Sequence, residues 1–145
     1  VKRVLVATDG SEGADRAVEF AARLAIKYAA TLLIINVTGG YGLPVELLRQ
    51  FSTPDGAWLE ELLTSMSAET LKAARDRAHK LGAPTIVLES RGGNIAQSII
   101  DFAEEKDADV IVVGKQGSGR VAGMLLGSVP QKLVNLATRV VMVVP

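Results

Sequence analysis

Short apolar runs alternate along this chain with segments whose apolar residues recur every three or four positions. That alternation constrains the fold more than any other feature. The runs are Arg3–Thr8, Thr31–Val37, Thr85–Ser90, Asp109–Val113 and Val140–Val144. A run of β-branched residues with little polar interruption suits a strand covered on both faces, as strands of a parallel sheet are. The intervening segments carry helical stripes. The first is Ala17, Phe20, Ala21, Leu24, Ala25 and Tyr28. A long helix is expected from Ala57 to Leu81, with Leu59, Leu62, Leu63, Met66, Leu71, Ala74, Ala78 and Leu81 inward and Gly82 as its C-cap. Asn94 is expected to cap a helix bearing Ile95, Ile99, Phe102 and Ala103, and the last helix turns Val129, Leu133, Leu136 and Ala137 inward. Strand and helix in strict alternation give an open, doubly wound α/β fold with helices on both faces of a parallel sheet.

The 145 residues suit one domain spanning 1–145 with a core that needs no disulfide or metal. Lys+Arg and Asp+Glu are equal at 16 each, so no net field favours a nucleic acid or a membrane surface. Cysteine is absent, which removes thiol chemistry. Apolar runs such as "AATLLII" are too short to span a bilayer, and no signal-peptide pattern opens the chain. A cytoplasmic protein is the expectation.

In open α/β sheets, ligands bind beyond the carboxyl ends of the strands. The reading above places four glycine-bearing loops there: "TDGSEG", "NVTGGYG", "RGGN" and the stretch from Gly114 to Ser128. The last has a defined spacing: Gly114, two residues, Gly117, nine residues, then Gly127-Ser128 at a helix start. A helix N-terminus exposes unpaired N–H groups and attracts anions. Glycines let neighbouring amides approach phosphate oxygens, Ser128 adds a hydroxyl, and Lys115 and Arg120 add positive charge. Pro130 suits the first helical turn, where its missing N–H is not needed. Two familiar phosphate loops are excluded. Gly114-x4-Gly119 continues into Arg120-Val121 and so lacks the P-loop Lys and Ser/Thr, and Gly117, Gly119 and Gly123 miss the dinucleotide fingerprint by one residue and follow the wrong strand.

With these residues the chain resembles the nucleotide-binding subgroup of the universal stress protein family, from "VLVATDGSEGADRAVEFAARLA" through "NIAQSIIDFAEEKDADVIVVG" to "LGSVPQKLV". The family's G-x2-G-x9-G-[S/T] pattern is matched in full. The resemblance implies a Rossmann-like sheet of order 3-2-1-4-5, akin to the adenine nucleotide alpha hydrolase fold, and a homodimer formed through the last strand, Val140–Val144. It implies ATP or another adenine nucleotide as ligand, with Mg²⁺ carried on the phosphates. Asp9 would lie near ribose, phosphates or metal-bound water. Val37 would read the adenine edge with its main-chain N–H and C=O. Gly114, Gly117, Gly127 and Ser128 would hold phosphates, with Val113, Lys115 and Gln116 bordering the pocket. The chain departs from the family in three places: Asn36 where many members carry histidine, "RGGN" before the third helix, and Pro130 after the Gly-Ser.

Plainer roles exist for several of these residues. Asp9 can cap a helix or close an Asx-turn, and Ser128 can be a simple cap. His79 reads as a surface helix residue, "EEKDAD" as a solvated helix end, and Trp58 and Met66 as packing or partner-facing residues. No Ser/His/Asp set, metal-ligand cluster or acid–base pair stands out, so no catalytic residue is expected and ATP hydrolysis would be slow or partner-dependent. The expected function is a nucleotide-dependent switch in stress adaptation. The competing readings are a dimeric interaction protein of the same family that binds no nucleotide, and a true ATPase or phosphotransferase.

Overall fold

The computed structural model describes residues 1–38, 57–116 and 126–145. The elements run β1 (Arg3–Ala7), α1 (Glu12–Tyr28), β2 (Thr31–Val37), α2 (Ala57–Leu81), β3 (Thr85–Arg91), α3 (Ile95–Glu105), β4 (Val110–Gly114), α4 (Ser128–Leu136) and β5 (Val140–Val144). All strand pairs are parallel, and the order is β3-β2-β1-β4-β5. This is the parallel, doubly wound sheet that the alternation predicts, in the Rossmann-like order that the family resemblance implies. Order reverses at β1, which pairs with β2 on one side and β4 on the other. The crevice for a ligand therefore opens beyond Ala7 and Gly114.

Side chains alternate across a strand, so each central strand feeds two cores. Val4, Val6, Leu32, Ile34, Val110 and Val112 pack with α1 and α2. Leu5, Leu33, Ile35, Ile111 and Val113 pack with α3 and with Leu133 of α4.

Three expected stripes are corrected. In α1 the buried face is Ala14, Ala17, Val18, Ala21, Ala22 and Ala25, while Phe20 and Tyr28 are 40% and 49% exposed. A face of alanines lets the helix lie close on the sheet, and the aromatic rings then have no room beneath it. In α2, Leu71, Ala74 and Ala78 are buried as expected, but Leu62, Met66 and Leu81 are exposed, and Ser67 takes an inward position. Leu136 of α4 is likewise exposed. The other helix ends follow their expected chemistry. Gly82 adopts φ +103°, with its N–H donating to the carbonyl of His79 at 2.9 Å. Asn94 caps α3, accepting from the Gln97 N–H at 2.9 Å.

Candidate functional site

The expected site residues collect at one rim of the sheet. Val37 ends β2, Val113 and Gly114 end β4, and Asp9 lies in the turn after β1. Gly127 and Ser128 begin α4, while Gly117 and Arg120 lie outside the described residues, as does the loop 39–56.

The turn after β1 is closed by its own side chains. Asp9 Oδ1 accepts from the Ser11 N–H at 2.9 Å, an Asx-turn. Thr8 Oγ1 accepts from the Gly10 N–H at 3.1 Å. The cap of α1 is Ser11, whose hydroxyl accepts from the Ala14 N–H at 3.2 Å, so Asp9 shapes the turn and Ser11 closes the helix.

The exit of β4 is a strip of main chain on which three elements rest. The Lys115 N–H donates to the Val144 carbonyl at 2.7 Å, and the Gly127 N–H donates to the Lys115 carbonyl at 2.9 Å. The first turn of α1 sits on the same strip. A Cβ at Gly13 would stand 2.6 Å from the Gln116 carbonyl oxygen, and one at Gly114 would stand 2.9 Å from the Gly13 carbonyl oxygen. Neither position admits a side chain without moving backbone. Gly114 therefore has a packing reason to be glycine beyond any ligand. Gly127 is tight as well, with a built Cβ 3.3 Å from the Lys115 carbonyl oxygen.

The start of α4 corrects the expected boundary by one residue. Ser128 is the first helical residue, and Gly127 stands at the cap with no side chain to bond the first turn. No acidic residue lies in that turn. Pro130 has no N–H, and the Gln131 N–H donates to the Gly127 carbonyl at 3.1 Å. Among the described residues none accepts from the N–H groups of Ser128 and Val129, the remaining donors of this turn. Gln131 Nε2 donates to the Leu126 carbonyl at 2.8 Å and fixes the approach to the cap.

Other cations near this rim are engaged elsewhere. Arg16 Nε donates to the Pro145 carbonyl at 3.1 Å. Arg91 is held by Glu89 and Glu105, and those carboxylates raise its already high pKa. Lys115, adjoining Gly114, remains the described cation placed on the strip itself. Among the described residues, no group of three His, Asp or Glu is arranged to hold a metal, and no helix is long and apolar enough to cross a membrane.

Two contacts of this rim, those of Gly13 and of Asn36, were not anticipated. Gly13 could have been noticed as a glycine in a first helical turn, a costly choice that calls for a reason. Asn36 stands out in the sequence only as a departure from the family's histidine, and nothing there signals its burial or the 2.8 Å bond that its Nδ2 donates to the Thr8 carbonyl.

A sequence model of the universal stress protein family matches residues 1–145. The chain is 32% identical over 148 residues to a universal stress protein of Methanocaldococcus jannaschii, covering 99% of this chain and 81% of that one. Among solved structures it resembles universal stress protein UspA from Lactobacillus plantarum, with 26% identity, a TM-score of 0.81 and coverage of 99% and 97% of the two chains. It also resembles a universal stress protein in complex with cAMP, with 30% identity, a TM-score of 0.70 and coverage of 99% and 95%.

Proposed function

The chain belongs to the universal stress protein family, and from that premise we propose that it is an adenine-nucleotide-binding module, most suited to ATP, acting as a switch in stress adaptation. The observation that carries this reading is the start of α4. It is a helix N-terminus with a glycine cap, no capping side chain, no acidic residue and an exposed Ser128, set against the glycine-shaped exit of β4. Such an end attracts phosphate through its N–H groups and its partial positive charge. The cAMP bound by a relative of 30% identity supports the same ligand class.

In this reading, Gly117, Gly127 and Ser128 hold phosphates and Lys115 adds charge. Gly114 sets the close packing that lets the strip reach them, and Val113 and Gln116 border the pocket. Val37 meets the base through its main chain. Asp9, exposed at the turn, takes a ribose hydroxyl or water on a phosphate-bound Mg²⁺. We take residues 1–145 as a single domain. The free edge of β5, with Val140 exposed, supports pairing with a second copy.

Thermal unfolding tests the reading. ATP with Mg²⁺ at 100 times its Kd adds about 2.7 kcal/mol, or roughly 5–10 °C in Tm for a domain of this size. No shift with millimolar ATP, ADP or cAMP removes it. A dimer that shows no such shift would support the interaction-protein reading instead.

A further inference from the structure

The proposed function makes the main chain of Val37 the reader of the base, and the structure shows what keeps that main chain available. β1 and β2 stay in register as far as Ala7 and Ile35. The Thr8 N–H still donates to the Ile35 carbonyl at 3.0 Å. In a parallel ladder, the next bond runs from the Val37 N–H to the Thr8 carbonyl. That bond does not form, and the pairing stops one residue short. The Thr8 carbonyl instead accepts from Asn36 Nδ2 at 2.8 Å.

Alternate residues of a strand direct their main-chain groups to the same neighbour. The N–H and C=O of Val37 therefore face the β1 side, as those of Ile35 do, at a level where β1 has turned away. Asn36 is 2% exposed, and its Oδ1 has no hydrogen-bond partner among the described residues. Turning the carboxamide over would set Oδ1 against the Thr8 carbonyl, two acceptors facing each other. The bond to Thr8 thus fixes which atom is nitrogen. A half-satisfied buried carboxamide costs stability that an aliphatic side chain would not. Its effect on Thr8 accounts for its place in this apolar strand.

We propose that Asn36 is a positioning residue for base recognition: it takes the Thr8 carbonyl in place of the Val37 N–H and so leaves the Val37 N–H and C=O without a partner on β1. This rests on the adenine-nucleotide reading above. A main-chain N–H beside a C=O matches the acceptor N1 and donor N6 of adenine. It mismatches guanine, which presents a donor at N1 and an acceptor at O6.

The test is Asn36→Leu in the full chain, read in two ways. Calorimetry measures the binding of ATP and of GTP, each with Mg²⁺, and hydrogen exchange measures the Val37 amide without nucleotide. The wild type should prefer ATP. The variant should bind ATP about tenfold more weakly, the effect of losing one hydrogen bond, with GTP unchanged. The Val37 amide should exchange more slowly, because the ladder closes onto Thr8, and Tm should not fall. A purely structural role would lower Tm and leave the ATP-to-GTP ratio alone. An unchanged ratio together with unchanged Val37 exchange overturns the proposal. If the wild type binds neither nucleotide, the functional reading and the base-recognition role of Asn36 fail together; slowed Val37 exchange then supports only the hold of Asn36 on the Thr8 carbonyl, and unchanged exchange overturns that hold as well. Asn36→Val serves for both measurements if the leucine variant does not fold.

Discussion

Two helices start on the same strip of main chain at one rim of the sheet, and the starts are built oppositely. The start of α1 is closed: Ser11 bonds the Ala14 N–H, and Glu12 and Asp15 occupy the first turn. The start of α4 is open, with Gly127 at the cap and no acidic residue nearby in the turn. Carboxylates in the first turn already satisfy the partial positive charge of α1, whereas that of α4 is left for something from outside. An anion arriving at this rim meets one receptive helix end and one that repels it. Equivalent geometry thus gives unequal electrostatics, and the difference is carried by a handful of side chains.

The comparison can be broken most sharply by giving α4 what α1 has. Ser128→Asp places a carboxylate where phosphate is proposed to sit. Like charges brought together at an interface cost several kcal/mol, so ATP affinity should fall on the order of 100-fold in calorimetry, while Tm holds or rises slightly. Retained affinity would move the phosphates away from α4. The shared strip is tested by Gly13→Ala, whose Cβ would stand 2.6 Å from the Gln116 carbonyl oxygen. Overpacking against backbone should lower stability by about 2–3 kcal/mol in urea unfolding. Ser11→Ala opens the closed end. It should cost about 1 kcal/mol in the same unfolding experiment and leave ATP affinity unchanged, because only α4 is proposed to hold phosphate.

The smallest effect lies at the opposite rim. There Asp109 Oδ2 accepts from the Lys2 and Arg3 N–H groups at 2.6 and 2.9 Å, a carboxylate on main-chain donors of the kind α4 lacks. Those bonds, first from Arg3 and then from Lys2, hold its pKa below the usual 3.8. A depressed pKa means the contribution is present above that value and is lost as pH falls through the lower, folded one. Asp109 is exposed, so screening keeps the term under about 1 kcal/mol. Asp109→Asn should flatten the acid limb of a stability–pH profile below pH 3.8 and leave stability at pH 7 only slightly lower.

The sheet was legible because its strands are nearly unbroken apolar runs, and the helices because their stripes repeat. The spacing of Gly114, Gly127 and Ser128 was legible too, and the structure brings these residues to one rim. Hidden from sequence was the reason for Gly114: its neighbour Gly13 lies 101 residues away (114 − 13), and contact between two glycines leaves no local pattern. Phe20, Tyr28 and Leu136 misled because periodicity reports which residues share a face, and packing decides which face a helix presents. Asn36 escaped notice as a positioning residue because its partner is a main-chain carbonyl, which any residue at position 8 would supply.

The central position of β1 has a consequence for how the chain comes into being. β1 precedes the other four strands in the chain and lies at the centre of the sheet, and its partner on one side begins with Val110 opposite Val4, 106 residues later (110 − 4). During synthesis β1, β2 and β3 can pair while the other edge of β1 waits, uncovered, for β4. An unpaired apolar edge is where misassembly with another chain starts. The candidate rim and the safety of the nascent chain are therefore completed by the same late event, the arrival of β4.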